Sequence, residues 1–274
     1  DARAEPQGWD ASGFDDSSWP EVVVATPTHG RLEARVAPPI TVQHELSPVS
    51  IENRGSGRWI VDFGQNLVGW VRLRVAGEAG SRVLVRHAEV LDHKRELYVE
   101  ALRGARATDE FILSGAEAGE VFEPRFTVHG FRYVEVSGYP GELRPDDITA
   151  CVAYAAMEQI GELECSDPRI NKLQQNIVWG QRGNFLAVPT DCPQRDERLG
   201  WTGDAQVFAA TAAFNYDVRS FLRKWLRDLR DGQQPDGGVP HVAPDIMTRY
   251  SKRHGDGRQE TGAAGWGDAI VIVP

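Results

Sequence analysis

The sequence predicts a mixed chain, an antiparallel β-sandwich over residues 46–158 followed by helices from residue 159 onward. Three observations carry that reading. From about residue 57 to 154 apolar residues recur at every second position, the period of strands with one buried face. Near residue 160 the period lengthens to that of a helix. Between the helical stretches lie long loops rich in charge and tryptophan, the kind of segment that carries function on a rigid frame.

Residues 1–45 hold turn-like text, Gly8-Trp9-Asp10 and Gly13-Phe14-Asp15-Asp16, with Val22-Val23-Val24 read as a strand between turns. This stretch is expected to be the remnant of a preceding β domain. In the sandwich, Trp59, Val61 and Phe63 alternate with Ile60 and Asp62, and Val71, Leu73 and Val75 alternate with Arg72 and Arg74. Val83 and Val85, Phe111-Ile112-Leu113, Phe131 to Val136 and Ile148 to Tyr154 continue the pattern, punctuated by glycines. His87, Asp92 and His93 could be taken for metal ligands, but a strand histidine beside a charged loop is the better reading, and no metal or other cofactor is expected.

Ser166-Asp167-Pro168 reads as a helix start with proline in the first turn. Ile170, Leu173, Ile177 and Gln181 then share one face. Residues 204–214 read as a tightly packed buried helix of small residues, and residues 217–231 as an amphipathic one. In the latter Val218, Phe221, Leu222, Trp225, Leu226 and Leu229 face one way and five basic residues the other, and Gly232 ends it. Gly265-Trp266-Gly267-Asp268-Ala269 opens a further helix.

The net charge of −10 argues against a nucleic-acid partner or an anionic membrane surface, either of which needs a basic face. No apolar run approaches the roughly 20 residues of a membrane span. With no signal-peptide core at Asp1-Ala2-Arg3-Ala4-Glu5, the expected location is the cytoplasm rather than outside the cell. The three cysteines, Cys151, Cys165 and Cys192, form no CxxC pair.

Four carboxylates, Asp191, Asp196, Glu197 and Asp204, fall within 14 residues, with Arg195, Arg198 and Trp201 among them. A solvated loop capped by Thr202 or Asp204 explains the charges but leaves the indole unexplained. A sugar site needs this mixture. Carboxylates and a guanidinium bind hydroxyls, an indole covers the apolar face of the ring, and one carboxyl keeps a proton for the leaving group. Crowding of like charges favours such a proton.

Asp191-Cys192-Pro193-Gln194-Arg195-Asp196-Glu197-Arg198-Leu199-Gly200-Trp201-Thr202-Gly203-Asp204-Ala205 resembles the signature of the bacterial α-L-rhamnosidases, inverting glycoside hydrolases of family 78. Gly265 to Ala269, Pro235 to Pro240 and Val61-Asp62-Phe63-Gly64-Gln65-Asn66 resemble further blocks of it. The resemblance implies that residues 159–274 are the N-terminal part of an (α/α)6 catalytic barrel. It implies Glu197 as general acid, and Asp191, Arg195, Trp201, Asp204 and Trp266 as contacts to rhamnose in rhamnose-containing glycosides or oligosaccharides. Arg195 is expected to point at substrate or at an aspartate rather than at Glu197. The general base of the family lies on a later helix, beyond Pro274, so the chain reads as a truncated piece. Asp236, Asp245 and Asp268 are substitute bases only for a self-sufficient fragment. The alternative is a carbohydrate-binding or structural fragment without turnover.

Overall fold

In the computed structural model, residues 1–25, 32–248 and 261–273 are described. Eight strands form one antiparallel sheet: β1 (Ile40–Leu46), β2 (Ser50–Asn53), β3 (Arg58–Val75), β4 (Arg82–Ala88), β5 (Thr108–Ile112), β6 (Glu120–Phe122), β7 (His129–Ser137) and β8 (Ile148–Ala155). The order is β1-β8-β3-β7-β4-β5, and β2 and β6 also pair with β3. The 18-residue β3 therefore borders four strands, and the sheet curls around a single core in which Val61, Leu73, Val83, Phe131, Val134 and Val136 are fully buried.

The register of β3 against β7 shifts between Asp62 and Leu67. Gly64, at φ 74°, sits in that bulge, and its N–H donates to Asp62 Oδ1 at 2.6 Å. Such an insertion bends a strand and re-aims the residues it contains, here Gln65 and Asn66.

Two expectations are corrected at the N-terminus. Val22, Val23 and Val24 form no strand and are almost wholly exposed. The strand nearest them, β1, pairs with β8, so the main sheet begins at Ile40 rather than Leu46. The three valines form no strand for lack of a partner surface, whereas β1 joins the sheet because β8 pairs with it.

Helix α1 (Pro168–Asn184) starts as the sequence predicts, with Pro168 in its first turn and Asp167 accepting from Arg169 N at 2.9 Å. Its buried face differs from the predicted one. Of that face Ile170 and Leu173 are about half exposed, Gln181 is buried as expected, and Val178 is buried without having been expected. The contact to α2 (Thr202–Asn215) is an amide ladder: Gln174 Nε2 donates to Asn215 Oδ1 at 2.8 Å, and Asn215 Nδ2 donates to Gln181 Oε1 at 2.9 Å. Gln181 Nε2 completes it on the Ala212 carbonyl at 3.2 Å. Buried amides are tolerated because each finds a partner.

Helix α2 is also less enclosed than expected. Ala205 and Ala212 are buried, but Val207 is 81% exposed. Its cap is Trp201, with no side-chain bond, in place of Thr202 or Asp204. Helix α3 (Arg219–Asp231) buries Phe221, Leu222, Trp225 and Leu229, the predicted stripe, and Gly232 caps it. Two short helices, α4 (Ala264–Gly267) and α5 (Ala269–Ile272), follow. Among the described residues no helix is long and apolar enough to cross a membrane.

Trp225 is fully buried at the centre of the helical core, and its Nε1 donates to the Ala243 carbonyl at 3.2 Å. Trp225→Ala is expected to cost about 3–5 kcal/mol, measurable as a lower urea midpoint.

Candidate active site

The loop from Pro189 to Trp201 contains no helix or long strand, so its shape comes from three attachments. At its start, Thr190 N donates to the Asn184 carbonyl at the end of α1 at 2.9 Å. In the middle, Arg198 Nη1 donates to the Val128 carbonyl at the edge of β7 at 2.8 Å. At its end, Ala243 N donates to the Gly200 carbonyl and Thr202 N to the His241 carbonyl, each at 2.9 Å. The last attachment admits only glycine, because a Cβ at residue 200 would stand 2.1 Å from the Ala243 oxygen.

So held, the loop brings Asp191, Arg195 and Glu197 into one ionic cluster. Glu197, half-buried, places Oε2 at 2.9 Å from Arg195 Nη2 and 2.7 Å from Arg103 Nη1. These are close ion pairs without hydrogen-bond alignment. The expectation that Arg195 turns away from Glu197 is thus not met. The nearest opposite charge in a crowded loop wins when no ligand competes for it. Oxygen atoms of Asp191 and Glu197 and the Cys192 sulfur all lie within 4.8 Å of one another.

Asp204, in the first turn of α2, has its carboxyl pushed up from the ordinary aspartate range. Desolvation is the main cause, followed by the negative charges of Asp191 and Glu197. Cys192 is buried and its thiol is pushed up to about 11, by burial first and Asp191 second. A neutral thiol is neither a nucleophile nor a ready metal ligand. A second group close enough for a metal is His87, Asp109 and His129. Its imidazoles stack at 4.1 Å and 20°, so their lone pairs run side by side rather than converge. His129 Nε2 instead lies 3.1 Å from both Asp109 oxygens, and burial drives His87 down to about 3.

A cavity of about 590 Å³ opens beside the cluster, lined among others by Asn184, Asp191, Asp204, Phe208 and Trp266. Trp266, on α4, reaches it from the far end of the described chain and abuts Gly203. Trp201 is not on that wall, and its Nε1 donates to the Glu197 carbonyl at 3.3 Å. Asp236 and Asp245, the substitute bases, are engaged locally. Asp236 Oδ1 accepts from Gly238 N at 2.9 Å, and Asp245 accepts from Thr248 N and Gln234 Nε2. Asp268 is exposed between α4 and α5.

Arg103 was invisible to the sequence reading. It belongs to a β-domain loop far upstream, and its φ of 54° lies in the left-handed region uncommon for non-glycine residues. Strain of that kind gathers at functional sites.

Comparison with known proteins agrees across the chain. Residues 1–44 match the alpha-L-rhamnosidase N-terminal domain, and residues 52–154 the bacterial alpha-L-rhamnosidase concanavalin-like domain. Residues 158–274 match the bacterial alpha-L-rhamnosidase 6 hairpin glycosidase domain. A curated alpha-L-rhamnosidase of Streptomyces avermitilis is 48% identical over 275 residues, covering 100% of this chain and 26% of the relative. The crystal structure of the Streptomyces avermitilis enzyme complexed with L-rhamnose superposes with a TM-score of 0.92 at 47% identity, over 100% of this chain and 26% of that one. The structure of an alpha-L-rhamnosidase from Dictyoglumus thermophilum gives 0.91 at 41%, over 99% of this chain and 30% of that one. The chain thus spans between a quarter and a third of the length of these relatives.

Two outcomes are expected at the site. Gly200→Ala lowers thermal stability by about 1–3 kcal/mol through overpacking against Ala243, seen as a drop in Tm. Asp204→Asn raises Tm at pH 7, because a raised carboxyl loses stability as pH climbs through its folded pKa. The gain shrinks as the pH falls through the raised folded pKa and is gone below the ordinary aspartate range, where the carboxyl is neutral folded and unfolded alike.

Proposed function

Since the chain belongs to the bacterial α-L-rhamnosidase family, we propose that the protein it forms part of hydrolyses terminal α-L-rhamnosyl residues of glycosides or oligosaccharides by inversion. Glu197 is the general acid in this reading. The observation that carries it is the convergence of Glu197 with Asp191, Arg195 and Asp204 beside the cavity that Trp266 lines.

Asp191 and Asp204 accept hydrogen bonds from sugar hydroxyls, and the Trp266 indole covers the apolar side of the ring with its methyl group. Trp201, off the cavity wall, reaches the sugar only if it turns; where it stands, its Nε1 steadies the Glu197 backbone. Ion pairs hold a carboxylate, whereas a proton donor carries a neutral carboxyl. The acid role therefore requires Arg103 or Arg195 to leave Glu197 as substrate enters, Arg195 turning to the hydroxyls. Glu197 then protonates the glycosidic oxygen as the bond to the anomeric carbon breaks. An inverting enzyme needs a second carboxylate about 6.5–9.5 Å away to activate water on the opposite face. That base is expected outside residues 1–274, since Asp236 and Asp245 are taken up in their own turns.

The double ion pair also favours a second reading. With Glu197 clamped, residues 1–274 alone would bind a sugar without cleaving it, which calorimetry with L-rhamnose and an activity assay on the same sample distinguish.

In the full-length protein, Glu197→Gln is expected to lower kcat on an aryl α-L-rhamnoside at least about 100-fold, with rhamnose affinity nearly unchanged. NMR of the initial product should show the inverted anomer. Near-wild-type turnover refutes the acid role, and a retained anomer refutes inversion.

A further inference from the structure

A second cavity, of about 430 Å³, lies between the β-sheet and α1, within the range of about 300–1,000 Å³ of small-molecule sites. Its lining includes Asn66, Glu89, Asn176, Trp179, Asn184 and Gln194. It shares Gly180, Asn184 and Asp191 with the cavity of the candidate active site, so the two are neighbours across one turn of α1.

Three features mark the cleft as built rather than left over. The β3 register shift carries Gln65 and Asn66 off the ladder into its wall, and Asn66 Nδ2 is oriented by Glu89 Oε1 at 2.9 Å. The buried side-chain oxygen of Gln194 has no hydrogen-bond partner among the described residues, a cost unless a donor arrives. The glycines of α1 then differ from each other. Gly183 is required by packing, since a Cβ there would press on Val68 Cγ2 at 3.0 Å, but at Gly180 nothing lies within 4 Å of that point. A helix-interior glycine costs about 0.5–1 kcal/mol relative to alanine, and no packing at residue 180 explains it. What a side chain there would fill is the space between the two cavities.

We infer that this cleft is the subsite for the sugar unit to which the cleaved rhamnosyl residue is attached. The inference rests on the proposed rhamnosidase reading. Amide and carboxylate side chains match the alternating donors and acceptors of a pyranose, and Trp179 supplies a limited apolar surface. A flat aromatic aglycone would leave most of those polar groups without partners. Asp191, common to both cavities, stands at the junction where the scissile linkage passes, and Gly180 keeps the passage open.

The test compares kcat/KM of the full-length enzyme on a panel of rhamnosyl disaccharides with kcat/KM on a small aryl rhamnoside. Asn66→Ala removes an amide from the cleft wall, and Glu89→Ala removes the carboxylate that orients it; neither residue lines the candidate active-site cavity. Each is expected to lower the disaccharide-to-aryl ratio about tenfold. Wild-type turnover of the aryl rhamnoside reports on the function itself. If wild type cleaves neither substrate, both readings fall. If wild type cleaves the aryl rhamnoside and both variants keep the wild-type ratio, the subsite alone is overturned. An equal loss on both substrates also overturns it, since Asn66 and Glu89 would then serve the rhamnose pocket itself.

Discussion

The close backbone approach at Gly200 and Ala243 is the constraint on which the site depends. Two irregular segments, each without helix or long strand, become rigid there. The Gly200 carbonyl takes the Ala243 N–H at 2.9 Å, and the Ala243 carbonyl takes the Trp225 indole N–H at 3.2 Å. Trp225 belongs to the buried stripe of α3, so the helical core itself fixes where α2 begins. Thr202 adds two bonds to the His241 carbonyl at the same junction. Asp204 and Gly203 follow within two residues, which sets the cavity edge and the ledge that meets Trp266.

The β-sheet contributes more than a scaffold. The edge of β7 holds Arg198 through the Val128 carbonyl, and the loop carrying Arg103 closes on Glu197. The charge cluster therefore spans sheet and helices, and neither half contains the whole site. Two guanidiniums, those of Arg103 and Arg195, stand at 2.7 and 2.9 Å from Glu197 Oε2. Asp204, with no such cation, is the carboxyl whose proton affinity rises.

Much of this was legible in the sequence where burial is strong and periodic. The stripe of α3, the alternation in β4, and the Asp167-Pro168 start of α1 are each dictated by local chemistry. Legibility failed where a partner, rather than a pattern, decides. Strand β1 is mostly exposed and is a strand because β8 pairs with it. The α1–α2 contact ties Gln181 to Gln174 and Asn215, two residues that a hydrophobic period cannot reveal. In the site, Asp191, Arg195, Glu197 and Asp204 were gathered by one contiguous motif. Trp266 was found through its own short block, while Arg103, from another part of the chain and with an ordinary flanking sequence, gave no signal.

The central claim is that Glu197 exchanges its guanidinium partners for the bound sugar. A crystal structure of the full-length protein with L-rhamnose tests it most directly. The account predicts the sugar between Asp191, Asp204 and Trp266, with a Glu197 oxygen in hydrogen-bond reach of the anomeric hydroxyl and at least one of Arg103 and Arg195 withdrawn. Rhamnose bound elsewhere, or Glu197 still clamped by both arginines beside an occupied cavity, would contradict it.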